Sequence, residues 1–391
     1  MTNDDVKKQI IPVIPTIGGV ERTNILPLVH LHMKANWHPA PVHSFTLPLW
    51  YQGTYDEQRS ARSGTVISDR SYLGRFYVTG ENAEQVLGRV FTSDPYKLAI
   101  GQISRTVACN EDGTVFDIAI WCRLDTGRWL IISGPRTQTS LLKRVEECAE
   151  AYSDVLVRDR LEESVLLSVS GPNVSDSLVA ALGPTIPKSI PLNEGHEILL
   201  GGYRALVANY SETGEAGYLI ICSPEVGEHI WQQLLSVGTE PIGLAASDAL
   251  RLEANFLEAP AEIPHPATPF HAGLAQLVDL EDGENTRRIF EGSAQLEKDL
   301  KEFPATRSIK AFKLLDKGLA KKGDTVQLHD GTVISACVAT FYSAALGASL
   351  AFAYIPRNHL NDSLYIETDS SRSSTESIRP EEILDKIKEV H

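Results

Sequence analysis

Hydrophobic positions along the chain first take up a clear rhythm at Gly74. Arg75 to Thr79 alternates with a period of two, Gly80 breaks the run, and Ala83, Val86, Leu87, Val90 and Phe91 recur at the spacing of a helix with one buried face. A strand followed by a helix is predicted. Thr106 to Asn110 and Val115 to Arg123 are strand-like runs on either side of Glu111-Asp112-Gly113-Thr114, where Asp-Gly marks a hairpin. Trp129 to Ser133 adds a strand, and from Thr137 to Tyr152 the residues Leu141, Leu142, Val145, Cys148, Ala149 and Tyr152 share one side of a predicted amphipathic helix. The order strand, helix, strand, strand, strand, helix predicts an α+β layer.

The pattern then repeats. Leu166 to Asn173 leads into Val174 to Leu182 much as Phe76 to Asn82 leads into Ala83 to Phe91, which points to an internal duplication. Strands at Tyr203 to Tyr210 and Gly217 to Cys222 and helices at Pro224 to Val237 and Leu244 to Phe256 complete this body, read as residues 47–303 in two interleaved subdomains. After Pro304 the chain changes to short strands punctuated by Asp316-Lys317-Gly318, Lys322-Gly323-Asp324 and Asp330-Gly331, so residues 304–368 read as a small separate β-domain. Residues 1–46 are rich in Pro and His, lack periodicity, and read as an extension. Residues 369–391 read as a polar tail, Ser-rich at first and weakly amphipathic from Pro380 to Val390.

Composition removes several function classes. Hydrophobic residues make up 42% of the 391, enough for packed cores, and no apolar run nears the roughly 20 residues of a membrane helix. No secretory pattern opens the chain, and a cytoplasmic protein is expected. The net charge of −15 repels a phosphate backbone, and the basic residues do not cluster, so no nucleic-acid partner is expected. The five cysteines, Cys109, Cys122, Cys148, Cys222 and Cys337, include no C-x-x-C pair. His30, His32, His38 and His43 lack acidic or Cys companions at a recurring spacing, so no metal site is assigned. The glycine-rich nucleotide motifs, H-E-x-x-H and G-x-S-x-G are also missing.

Two carboxylates remain. Asp117 stands in the apolar run Val115-Phe116-Asp117-Ile118-Ala119-Ile120-Trp121, where an unpaired charge is costly, and Arg105 or Arg123 on neighbouring strands are candidate partners. Glu215 lies in Thr213-Gly214-Glu215-Ala216-Gly217, a context that lets backbone approach a flat ligand but that also suits an exposed turn.

Together with other segments, these motifs resemble the aminomethyltransferase family: the glycine-cleavage T-protein and its tetrahydrofolate-dependent demethylase relatives. Pro48-Leu49-Trp50-Tyr51 with Asp56-Glu57 resembles the family's PLxY…DEH, Ser68 to Leu73 its DVSHM strand, and Val78 to Ala83 its xGxDA turn. Asn110 to Asp117 is similar to LNxxGGVIDD, Thr213 to Tyr218 to TGExGY, Leu250 to Ala254 to LRLEAG, and Ala339 to Gly347 to SGTFSPTLG. The match is collinear from about residue 47 to 357. It implies a T-protein-like folate-binding fold, α+β, with βα units around a central channel and a small C-terminal β-barrel.

The resemblance makes tetrahydrofolate the expected cofactor. It implies Asp117 as the catalytic carboxylate, Glu215, Asp117, Ser133 and Tyr218 as cofactor-binding, and Tyr51, Tyr72, Arg105 and Gln276 as substrate-lining. A carboxylate such as Glu215 suits the side-by-side donors of a pterin edge. Against the family pattern, the second aspartate of IDD is Ile118, the ALY tyrosine is Arg105, the DVSHM histidine is Tyr72, the GYTGE tyrosine is Glu212, the GARDTLRLE arginine is Ser247 and the Trp after AGLG is Gln276. These departures argue against a lipoyl carrier protein as partner. They favour a tetrahydrofolate-dependent methyltransferase that demethylates a small O-, S- or N-methylated molecule. Glycine-cleavage aminomethyl transfer and a non-catalytic folate-binding protein are the alternatives.

Overall fold

The structure is a computed structural model that describes residues 24–42, 44–183, 190–200, 203–302, 306–316, 318–369 and 371–390. Two sheets of the same design form its centre. In the five-stranded sheet the order is Ile103–Cys109, Val115–Asp125, Arg128–Ser133, Gly74–Thr79 and Leu156–Asp159. The six-stranded sheet runs Gly195–Leu200, Tyr203–Ala208, Gly217–Cys222, Val165–Ser170, Val66–Asp69 and Glu240–Pro241. Each is an antiparallel meander joined to the strand of a βα unit, so the repeat in the sequence is a repeat of topology.

Strand alternation gives each sheet two apolar faces. On the outer face of the first, Phe76, Val78, Ala119, Trp121 and Ile131 pack under the helices Ala83–Val90 and Gln138–Ala149. On the second, Val165, Leu167, Val169 and Ile220 pack under Val174–Leu182 and Pro224–Ser236. The inner faces meet: Ile120, Cys122, Leu130 and Ile132 from one join Leu166, Leu206, Leu219 and Ile221 from the other in a shared core. Burying such side chains contributes roughly 1.5 to 3 kcal/mol each, and this inner core fixes how the halves sit together. The strand-to-helix corners need Gly80 (φ +138°) and Gly171 (φ +133°). A Cβ on Gly171 would stand 2.1 Å from the Gly64 carbonyl oxygen, and one on Gly80 2.4 Å from that of Asp154.

The part of the N-terminal extension that is described is built into the body. Asn24–Ile25, His38–Val42 and Phe45–Trp50 form a three-stranded sheet, and Leu26, Leu28, Leu31 and His32 are buried beneath it and the helix Val29–Lys34. The histidines separate. His30 lies 3.2 Å from Glu228, His38 stacks on Trp50, and His32 joins Asp69 (Nε2 to Oδ2, 3.0 Å) and the Tyr51 hydroxyl (Nδ1 to O, 2.9 Å) in the core. His43 and residues 1–23 lie outside the described residues.

Six strands close the C-terminal barrel, in the order Arg307–Leu314, Ala348–Pro356, Val333–Ser343, Thr325–Gln327, Tyr365–Glu367 and Arg372–Ile378. The last corrects the reading of a polar tail from residue 369. Arg372–Ile378 pairs with both Arg307–Leu314 and Tyr365–Glu367, and Ser373, buried in the wall, donates to Asp316. The helix Ile383–Val390 then buries Ile383 and Ile387 against the barrel and the body. A short serine-rich strand that puts only alternate side chains inside reads as a linker until its partners are known.

Candidate active-site cleft

Where the inner faces of the sheets part, a cleft opens toward the loop that follows the helix Leu244–Glu253. Arg70, Arg105, Ile118, Ser133, Glu212 and Glu258 are among its lining residues. Arg105 pairs in register with Ile120 on the next strand, which puts both on the inner face. Its guanidinium lies 4.4 Å from the centre of the Phe256 ring, and its Nη1 has no hydrogen-bond partner. Arg70 Nη1 reaches Glu212 at 3.4 Å. Arg251, buried and also in the lining, holds Glu262 through two hydrogen bonds of 2.8 and 2.9 Å and Asp248 through one of 2.9 Å. The free volume is about 40 Å³.

Asp117 is not in this cleft. It pairs with Ala108, whose side chain belongs to the outer-face core with Ala119 and Trp121, so alternation sends Asp117 outward and Ile118 inward. Neither candidate partner reaches it, because Arg105 stacks on Phe256 and Arg123 pairs with Glu84 at 3.0 Å. Its carboxylate is fully buried and neither oxygen completes a hydrogen bond. Burial pushes the carboxyl up to about 7, with the Thr137 hydroxyl and the N–H groups of Gly134 and Ile118 near enough to restrain the rise. Asp117 thus stands behind the cleft wall, with its Oδ1 against Gly134, which lines the cleft.

Glu215 is elsewhere as well. Its Oε1 accepts from Arg62 Nη1 at 2.8 Å, and Arg62 also donates to Glu253 Oε2 at 2.5 Å and to the Thr213 carbonyl at 2.9 Å. Glu253 accepts from Ser343 of the barrel at 2.5 Å. These groups stand at a separate cavity of about 380 Å³ under the C-terminal helix, whose Leu384 lies where a Cβ on Gly214 would go. Glu215 is thus paired with Arg62, which also holds Glu253, the carboxylate that meets the barrel at Ser343.

Of the other predicted residues, Ser133 and Arg105 do line the cleft. Tyr51 and Tyr218 are buried in the core of the six-stranded sheet, with the Tyr51 hydroxyl taken by His32. Tyr72 is buried in the inner core beside Arg70, and burial raises its hydroxyl well above the usual phenol range. Gln276 is exposed in a single helical turn at Ala275–Leu277. The residues that sequence reasoning left without a role are Arg70, Phe256, Glu258 and, at the expected tyrosine of GYTGE, Glu212. The last was visible as a departure from the motif; the others depend on how the 255–262 loop folds back.

Comparison with known proteins decides the family. The model for the GCVT N-terminal domain matches residues 28–282. The chain belongs to the aminomethyltransferase family. It is 31% identical over 342 residues to an aminomethyltransferase of Symbiobacterium thermophilum, covering 85% of this chain and 89% of that one. A probable aminomethyltransferase of Haloarcula marismortui is 29% identical, covering 88% and 92%. Glycine cleavage system aminomethyltransferase T of Bartonella henselae superposes with a TM-score of 0.83 at 23% identity, over 91% of this chain and 96% of that one, and shares the fold.

Members of this family use tetrahydrofolate as the one-carbon acceptor. The polar lining of the cleft fits such a ligand. The buried Arg105 Nη1, Arg70 Nε and Ser133 Oγ lack partners, and nearby Tyr210 Oη does too, so donors are available for the carbonyl and ring-nitrogen acceptors of a pterin. The space does not yet admit a ring. About 40 Å³ holds two or three waters, and Arg105 and Phe256, stacked on each other, both line it. The expectation that argued against a lipoyl carrier does not stand, since the relatives are aminomethyltransferases and the superposed structure is the glycine-cleavage T-protein. No helix among the described residues is long and apolar enough to cross a membrane.

Proposed function

We propose that the chain transfers an aminomethyl one-carbon group from a lipoyl-bearing carrier protein to tetrahydrofolate. What supports this most is the match to aminomethyltransferases over 85% of the chain. The reading is supported by unpartnered donors that converge on one cleft between the duplicated halves, and in it Arg70 and Arg105 hold the pterin. The test is direct: aminomethylated carrier, tetrahydrofolate and the protein should release ammonia and form 5,10-methylenetetrahydrofolate. No ammonia above the protein-free rate would sink the reading.

Demethylation of a small O-, S- or N-methylated molecule is the weaker form of the same chemistry, because no feature of the cleft selects a methyl donor. It would appear as 5-methyltetrahydrofolate on incubation with methylated aromatics, sulfonium compounds or methylamines. One observation favours a second reading. Ile118 puts an apolar side chain on the cleft wall where the family motif carries a second aspartate. A folate-binding protein without turnover would bind tetrahydrofolate tightly and leave every donor intact.

A further inference from the structure

The cleft has two carboxylates in its lining, and they differ in what holds them. Glu212 lies 3.4 Å from Arg70 Nη1. Glu258, on the loop opposite Ile118, has its nearest cation, Arg251 Nη2, at 3.8 Å, beyond hydrogen-bond distance. Arg251 is also committed elsewhere: Nε donates to Asp248, Nη1 to Glu262 and the Phe256 carbonyl, and Nη2 to Glu262. The loop is held from behind. Glu262 accepts from the Glu258 backbone N–H at 2.5 Å, which fixes where Glu258 starts while leaving its carboxylate unbonded among the described residues.

We infer that Glu258 is the acid–base group of this cleft, supplying from the 255–262 loop the carboxylate that Ile118 does not provide. This rests on the aminomethyl-transfer reading. In that reaction the acceptor's two amine N–H bonds are replaced by bonds to the transferred carbon, and the carbon's bonds to sulfur and to the amino nitrogen break with their electron pairs going to those atoms. With the aminomethyl group entering as an ammonium, the two protons given up by the acceptor end on the carrier thiolate and on the departing ammonia, so thiol and ammonium leave and charge is conserved. Glu258 takes one of these protons from the acceptor and passes it to a leaving group, finishing as it began.

The surroundings suit a proton carrier. Burial pushes the Glu258 carboxyl up to about 7, opposed by Arg251 and Arg70 and supported by Asp248 and Glu262. Arg105 and Glu212 also face the cleft.

Tetrahydrofolate binding and single-turnover transfer are measured on the full chain from pH 5.5 to 8.5, for wild type, Glu258→Gln and Glu258→Asp. We expect Glu258→Gln to bind tetrahydrofolate within about threefold of wild type, to lose the pH dependence of binding and to transfer at least roughly 100-fold more slowly. Glu258→Asp recovers part of the rate. If wild type binds and transfers while Glu258→Gln keeps both the rate and the pH profile, Glu258 is a bystander and the functional reading survives. If wild type neither binds nor transfers, that reading fails and this inference falls with it.

Discussion

Asp117 and Glu215 are both acidic residues set among small or apolar neighbours, yet the structure gives them opposite problems. Asp117 makes no ion pair among the described residues, and Arg144, the cation that acts on it, only partly offsets its burial. Its carboxyl is raised from 3.8 to about 7, so the folded state holds the proton more tightly than the unfolded state does. The stability this contributes is complete below the unfolded value and is lost as pH rises through about 7. Asp117→Asn removes the ionisation and should raise stability at pH 8 by roughly 1 to 3 kcal/mol, a gain that shrinks toward pH 4. Thermal melts across that range check it, and a variant less stable than wild type at pH 8 would mean the carboxylate is held by something else. Glu215 has a partner, and the partner matters more than it does. Arg62→Met strands Glu253, whose side chain is 1% exposed, and should cost about 3 to 5 kcal/mol in urea unfolding. Glu215→Gln, at a side chain 27% exposed with Arg62 still bonded to Glu253, should cost under about 1 kcal/mol.

Among elements, the two βα corners show how a duplicated design constrains single residues. Helix and strand meet there through a backbone turn that only glycine adopts freely, and the neighbouring carbonyl occupies the place of a side chain. Gly171→Ala therefore faces both a positive φ and an overlap with Gly64 that backbone must move to relieve. Gly238 has φ +88° with nothing within 4 Å of a built Cβ, so Gly238→Ala meets only the conformational cost. Chemical denaturation should separate them, with about 1 kcal/mol lost at Gly238 and roughly 1 to 3 kcal/mol more at Gly171. Equal losses would show that the corner relaxes easily. The same elements show why the outer ends of the chain were misread: Arg372–Ile378 becomes regular through Arg307–Leu314, far away in sequence, and Asn24–Trp50 through short Pro-containing strands that pair only with one another.

At the scale of the whole molecule, the cleft exists because two sheets with apolar inner faces share one core and part at one end. Its closure depends on Arg105, from a sheet, meeting Phe256, from the loop after the Leu244–Glu253 helix. Phe256→Ala removes that closure. Stopped-flow mixing with tetrahydrofolate should show association at least about threefold faster than wild type, because there is no longer a stack to part. An unchanged association rate would place the limiting step elsewhere.

The duplicated strand and helix pattern, the Asp112-Gly113 hairpin and the Gly-punctuated barrel strands were legible along the chain because they rest on local periodicity and turn chemistry. The collinear motifs carried the family and its folate ligand for the same reason, since each is a short run with its own turn or strand. Residue roles were not legible at that level. Asp117 and Ile118 differ by one position, and one position in a strand exchanges the helix-covered face for the cleft. Which of them faced the cleft depended on which side of the sheet the helices covered. Glu215 was drawn away by Arg62 from a helix more than 150 positions earlier, and Glu258 was brought in by a loop whose course is set by Arg251 and Glu262. Local pattern determined what each segment forms; the packing of segments distant in sequence decided which charges meet, because a charge's partner is a matter of position in space.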